Sequence, residues 1–187
     1  MVSNELLNKA HPLKAMLALT IPSMFAQFVN ILYGVVDKLF IANMQSGSSL
    51  ALAGVGICAP ITTLITSFTY LICQGASPLF ATRLGQKDYD DAKKIMANSF
   101  LLLVIITVVL MLFFLIFKES LLYSFGATPN NFKYASDYIT IYVLGTFFCL
   151  MSLGLNSFIT CQGKSTRAMV TVIIGSLTNI LLDYIFI

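Results

Sequence analysis

Apolar residues run along this chain in five long blocks, approximately 13–43, 50–80, 92–117, 134–161 and 168–187, and most charged residues gather between them. The blocks do not alternate polar with apolar positions, as lipid-facing β-strands would. A bilayer core of about 30 Å is crossed by about 20 helical residues, so each block predicts one transmembrane helix. The first two blocks exceed that length, which predicts tilt, kinks or protruding ends. Pro22 in the first and Pro60 in the second are the expected kink sites. The fold class is therefore all-α: a polytopic membrane helix bundle with five spans in residues 1–187.

Polar positions inside the blocks form a pattern of their own. With successive residues about 100° apart, Thr20, Ser23, Gln27, Asn30, Gly34 and Asp37 fall on one stripe of the first helix. The rest of that helix presents residues such as Phe25, Phe28, Leu32 and Leu39. Such a helix turns its apolar side to lipid and its stripe to protein or water. The fourth helix carries Tyr138, Tyr142, Gly145, Cys149, Ser152 and Asn156 on one face. The second carries Thr63, Ser67, Tyr70, Gln74 and Ser77. Gln27, Asn30, Gly34 and Asn156 are thus expected to line a cavity. The third helix is almost wholly apolar and is expected to face lipid.

Composition sharpens this picture. The chain has 187 residues, 58% hydrophobic and 10% charged, and its mean hydropathy is +0.87. A soluble domain carries about a quarter charged residues, so this chain lacks the polar groups to cover a water-facing surface. Its partner is a lipid bilayer. The four cysteines lie in apolar stretches without a C-x-x-C pair, and there is one histidine. That pattern carries no zinc or haem signature, and no resident cofactor is expected.

The net charge of +3 signals orientation and not nucleic acid. Eight basic residues (Lys9, Lys14, Arg83, Lys87, Lys93, Lys94, Lys164 and Arg167) fall on one side of the predicted bundle. Lys118 and Lys133 fall on the other. The positive-inside rule then places the N-terminus in the cytoplasm of a cell whose plasma or inner membrane the chain spans. The chain stops at Ile187 inside an apolar run, which predicts a longer whole.

Two carboxylates sit deep within the spans, while Asp137 near the start of the fourth is read as interfacial. Asp37 lies on the first-helix stripe. Asp183 lies on the fifth helix with Asn179 one turn before it and Ser176 on the same side. A charge at mid-bilayer costs about 3 kcal/mol unless it is paired, hydrated or protonated. Burial disfavours the charged carboxylate. Asp37 and Asp183 reach a similar depth and are candidate proton or cation carriers, with Tyr138 at their level. The plain alternative is a structural ion pair with Lys38.

The segments "IPSMFAQFVNILYGVVDKLFIA" (21–42), "ALAGVGICAPI" (51–61), "QGASPLFATRLGQKD" (74–88), "CQGKS" (161–165) and "TNILLDYIFI" (178–187) resemble, in this order and spacing, the N-terminal half of a multidrug and toxic compound extrusion (MATE) transporter. Its DinF-like branch is the most similar. The resemblance implies a transporter of twelve helices in two six-helix lobes, of which residues 1–187 form the first, without helix 6 and the C-lobe. It implies alternating access, with H⁺ or Na⁺ entering as bulky, often cationic amphipathic compounds leave. It also implies that Asp37, Tyr138, Asn179 and Asp183 form the cation or proton site, with Na⁺ at Asp37, Asn179 and Asp183 as the metal alternative. Pro22 matches the proline at which the first helix is proposed to bend.

Three other readings stand beside it. A lipid-linked saccharide flippase of related layout tends to need a strongly basic cavity, and the membrane interior here offers only Lys38. An intramembrane enzyme needs a nucleophile–base pair or a metal cluster, which the chain lacks apart from the two aspartates. The third reading is a membrane fragment that transports nothing.

Overall fold

The structure, a computed structural model, describes residues 12–43 and 48–186. It contains five α-helices: α1 Pro12–Ala42, α2 Ser48–Gly85, α3 Tyr89–Ser124, α4 Phe132–Cys161 and α5 Ser165–Phe186. All five contain a span long and apolar enough to cross a membrane. Lys9 lies outside the described residues.

The helices are longer than their apolar cores. α2 has 38 residues, about 57 Å at 1.5 Å per residue, against a hydrocarbon core of about 30 Å. Its surplus lies in water, where charged residues continue a helix without desolvation. Arg83, between the second and third apolar blocks, therefore sits on the end of α2, and Lys93 and Lys94 sit near the start of α3. Lys118, expected in a loop, lies on α3 and donates from Nζ to Thr140 Oγ1 of α4 at 3.1 Å. The α2–α3 connection shrinks to Gln86–Asp88, with Lys87 in the left-handed region at φ 62°. Asp88 caps α3 by accepting from the Asp91 N–H at 3.2 Å. Asp90 and Asp91 in the first turn complement the helix dipole. The ion pairs there are exposed and contribute little.

The helices pack in two groups. α2, α3 and α4 form one unit and enclose the buried core: Cys58, Ile61 and Ile65 of α2 meet Leu110 and Phe114 of α3 and Ile139 and Val143 of α4. A second cluster nearer the basic end joins Cys73, Leu103 and Met151, and Phe80 and Phe158 pack edge to face with centroids 5.3 Å apart. Two glycines permit this closeness. A Cβ on Gly54 would lie 3.0 Å from the Ala135 nitrogen, and one on Gly154 would lie 2.6 Å from Leu103 Cδ2. α1 packs chiefly on α5, and this pair touches the three-helix unit more sparsely.

α3 departs from the expectation of a lipid-facing helix. Ser99, Leu103, Thr107, Leu110 and Phe114 are buried at helical spacing against α2 and α4. Thr107 satisfies its hydroxyl on the Leu103 carbonyl at 2.7 Å, so it packs as a small apolar residue would. Only the remaining faces, with Leu101, Ile105, Leu112 and Ile116, are exposed.

Candidate functional site

The seam between the α1–α5 pair and the α2–α4 unit holds a cavity of about 540 Å³. That is within the range of drug-sized pockets, about 300–1,000 Å³. α1 contributes Ser23, Gln27, Asn30 and Tyr33, and α2 contributes Tyr70, Gln74 and Ser77. α4 contributes Cys149, Ser152 and Asn156, and α5 contributes Thr171, Gly175, Ser176 and Asn179. α3 adds nothing to the wall. Ala26, Leu153, Met169 and Val172 alternate with the polar groups, so the lining is amphipathic.

Local chemistry explains how the wall is held. Asn156 donates from Nδ2 to the Ala168 carbonyl at 3.2 Å and to Thr171 Oγ1 at 2.9 Å, tying α4 to α5 at the basic end. Thr171 Oγ1 in turn donates to the Ala168 carbonyl at 2.7 Å. Ser23 bonds the Leu19 carbonyl at 2.9 Å beside Pro22, through which α1 runs as one helix. The hydroxyls of Ser157 and Thr160 turn back to carbonyls of their own helix.

Gln27, Asn30, Asn156 and Asn179 lie on the cavity wall, while Gly34, Asp37 and Tyr138 do not. The wall on α1 ends at Tyr33, and the polar stripe continues past it through Gly34 to Asp37. Gly34 faces open space, with nothing within 4 Å of the point where a methyl would stand. Asp37 is half-buried and stands within Coulombic reach of Tyr138 across the bundle. Tyr138 stacks on Tyr142 with ring centroids 6.1 Å apart. The α5 backbone carries Asp183 one turn beyond Asn179, and the Asp183 side chain lies outside the described part of the structure. Lys38 is exposed.

Tyr33 is the wall residue that the polar pattern misses. It sits three residues after Asn30 and four before Asp37, so it shares their face. It stands within electrostatic reach of Asp37, Cys149 and Tyr70, and so bridges the acid and the cavity. Tyrosine marks the polar faces of the second and fourth helices, and applying the same count to the first helix finds it. Asn179 has a second feature: its Oδ1 is buried with no hydrogen-bond partner among the described residues. A buried amide carbonyl left unpaired costs about 1–3 kcal/mol, and the Asp183 side chain one turn away lies outside the described residues. Among the described residues no group of three or more His, Cys, Asp or Glu side chains is placed to hold a metal ion.

A family model described as MatE matches residues 22–185. The chain is 25% identical over 174 residues to the multidrug export protein MepA of Staphylococcus haemolyticus, covering 93% of this chain and 38% of that protein. It is 29% identical over 171 residues to the probable multidrug resistance protein NorM of Pseudomonas putida, covering 91% and 36%. A ligand-bound structure of the MATE multidrug transporter DinF-BH aligns with a TM-score of 0.89 at 32% identity, covering 100% of this chain and 41% of that one. An outward-facing conformation of a multidrug resistance MATE family transporter aligns with a TM-score of 0.88 at 29% identity, over 97% and 40%. The chain therefore spans about two-fifths of the length of these relatives.

Proposed function

Because this chain belongs to the MatE family, we propose that it is the N-terminal lobe of a cation-coupled exporter of amphipathic, often cationic compounds. In this reading residues 1–187 supply five of twelve helices, the N-terminus is cytoplasmic and the complete transporter sits in the cell membrane. The observation that supports it best is the amphipathic cavity, open between two helix groups and drug-sized. Its described lining contains neither a basic nor an acidic side chain, and the lack of a basic one disfavours the anionic headgroup of a flippase substrate.

The chemistry follows from depth. A substrate cation gains from the faces of Tyr33 and Tyr70, with the field of the Asp37 carboxylate acting from beyond the wall past Tyr33, while its apolar body lies against Leu153, Met169 and Val172. A proton or Na⁺ arriving from the outer side neutralises the Asp37–Asp183 pair and removes that attraction. Asn179 Oδ1 offers an acceptor to whichever species is bound, a protonated carboxyl, a substrate ammonium or Na⁺. Ion and substrate then compete, and a ligand that prefers one packing of α1 shifts its population. The sparse contact between the α1–α5 pair and the rest leaves room for two packings.

The cavity is tested by filling it. Gly175 lines it, and a methyl added there meets nothing within 4 Å. Gly175→Phe in the complete transporter is expected to weaken substrate binding and efflux about ten-fold or more, since the ring occupies space that the substrate needs. Gly175→Ala should remain near wild type, and both variants should reach the membrane in equal amounts. Undiminished efflux by Gly175→Phe would move the substrate elsewhere.

A further inference from the structure

α5 has two faces that point in opposite directions. Ala168, Val172, Ser176 and Asn179 line the cavity. Arg167, Val170, Ile174, Leu177 and Leu181 follow one another at steps of three or four residues, and they fall within about 80° on the far side of the helix. All five are exposed. From Arg167 the stripe runs along about 21 Å of helix. One leaflet's acyl chains fill half of a core of about 30 Å, so the stripe is long enough to hold them.

Charge is unevenly satisfied at the head of this stripe. The end of the bundle with the α2–α3 and α4–α5 turns carries seven basic and three acidic side chains among the described residues. The three acids are taken. Arg83 reaches Asp88 at 4.0 Å, Lys93 reaches Asp90 at 3.9 Å, and Lys94 reaches Asp91 at 3.3 Å. Lys164 and Arg167 are exposed and have no carboxylate partner among the described residues. The Lys164 ammonium donates to the neutral Gln162 Oε1 at 3.0 Å, which leaves its charge uncompensated. The opposite end balances Lys118 and Lys133 with Glu119 and Asp137. Membrane orientation asks for cations at the basic end. It does not ask that two of them stay unpaired at the top of an exposed apolar stripe.

We propose that Lys164, Arg167 and the exposed stripe of α5 form a binding surface for one anionic phospholipid of the adjoining leaflet. Its phosphate meets the two cations, and its acyl chains lie along Val170, Ile174 and Leu177. Charge complementarity selects the headgroup, since a zwitterionic lipid brings a cation of its own to the same place. The surface lies on the side of α5 away from the cavity, so it is independent of the transport reading.

The test uses the complete transporter in detergent, with phosphatidylglycerol or phosphatidylcholine added and bound lipid counted by native mass spectrometry. Each cation beside the membrane adds to the attraction for anionic lipid. Phosphatidylglycerol is expected to bind about ten-fold more tightly than phosphatidylcholine. Lys164→Gln with Arg167→Gln should remove most of that preference and leave phosphatidylcholine binding unchanged, which also shows that the variant folds. Lys93→Gln with Lys94→Gln removes equal charge from cations that already have partners, and it should keep the preference. A wild-type protein without preference, or a preference lost equally in both double variants, overturns the surface. Inorganic phosphate that competes as well as the lipid reduces the surface to a bare anion site and also overturns it. A second measurement needs no variant: phosphatidylglycerol with a diazirine in its acyl chain should label the 170–181 stretch of α5. Labelling that spares this stretch shows that another part of the transporter covers it, and overturns the proposal.

Discussion

Asp37→Asn in the complete transporter is expected to reduce gradient-driven efflux about ten-fold or more, as coupling free energies between two ligands run at about 1–3 kcal/mol. Asparagine has nearly the shape of aspartate, with one acceptor oxygen replaced by an NH2 donor. It cannot carry a charge or take up a proton. Asp37 is half-buried on the α1 stripe, one turn beyond Tyr33 and within Coulombic reach of Tyr138. The substitution therefore removes the charge and spares the packing. Efflux from proteoliposomes under an imposed pH or Na⁺ gradient reads the effect, and membrane abundance should match wild type. Full efflux by the variant would place coupling at another residue.

The second large effect is structural. Gly154 of α4 is buried where α2, α3 and α4 meet, and a Cβ there would lie 2.6 Å from Leu103 Cδ2 and 3.1 Å from Cys73 Sγ. Leu103 and Cys73 are themselves buried, with little room to turn aside. Overpacking a close-packed site costs about 1–3 kcal/mol and occasionally more, and Gly154→Leu is expected at or above the top of that range. The measurement is thermal unfolding in detergent, with a lowered midpoint and reduced folded yield. Gly145→Leu is the control, because a methyl there meets nothing within 4 Å. Equal midpoints for the two variants would contradict the packing described around Gly154.

Much of this architecture is legible in the sequence because hydrocarbon imposes one requirement on a spanning segment: length and apolarity. Helix centres follow from that, and all five spans lie where the apolar blocks place them. Helix ends do not follow, because beyond the hydrocarbon the requirement lapses. α2 continues through Arg83, and α3 continues past Lys118 to Ser124. The cavity wall was readable where amides mark it, at Gln27, Asn30, Asn156 and Asn179. It was readable too at Gln74 and Ser77 on the polar face of the second helix, and unreadable at Ser165, which falls between the fourth and fifth apolar blocks. The exposed faces of α3 match the lipid-facing expectation, but its packing face was not read, for a related reason. Its buried face uses leucine, phenylalanine and a self-bonded threonine, which resemble lipid-facing residues. What separates the two is the neighbour, and hydropathy does not report it.

The central claim is that a water-lined space separates the α1–α5 pair from the α2–α4 unit. The native cysteines test it most directly. Cys149 and Cys161 lie on the cavity wall, and Cys58 and Cys73 are buried between the packed helices. A permanently cationic methanethiosulfonate reagent reaches thiols through water and not through hydrocarbon. In single-cysteine variants in membrane vesicles, Cys149 should be modified, rhodamine 6G should slow that modification, and Cys58 and Cys73 should stay unmodified. An inert Cys149, or four cysteines reacting at one rate, would contradict the account.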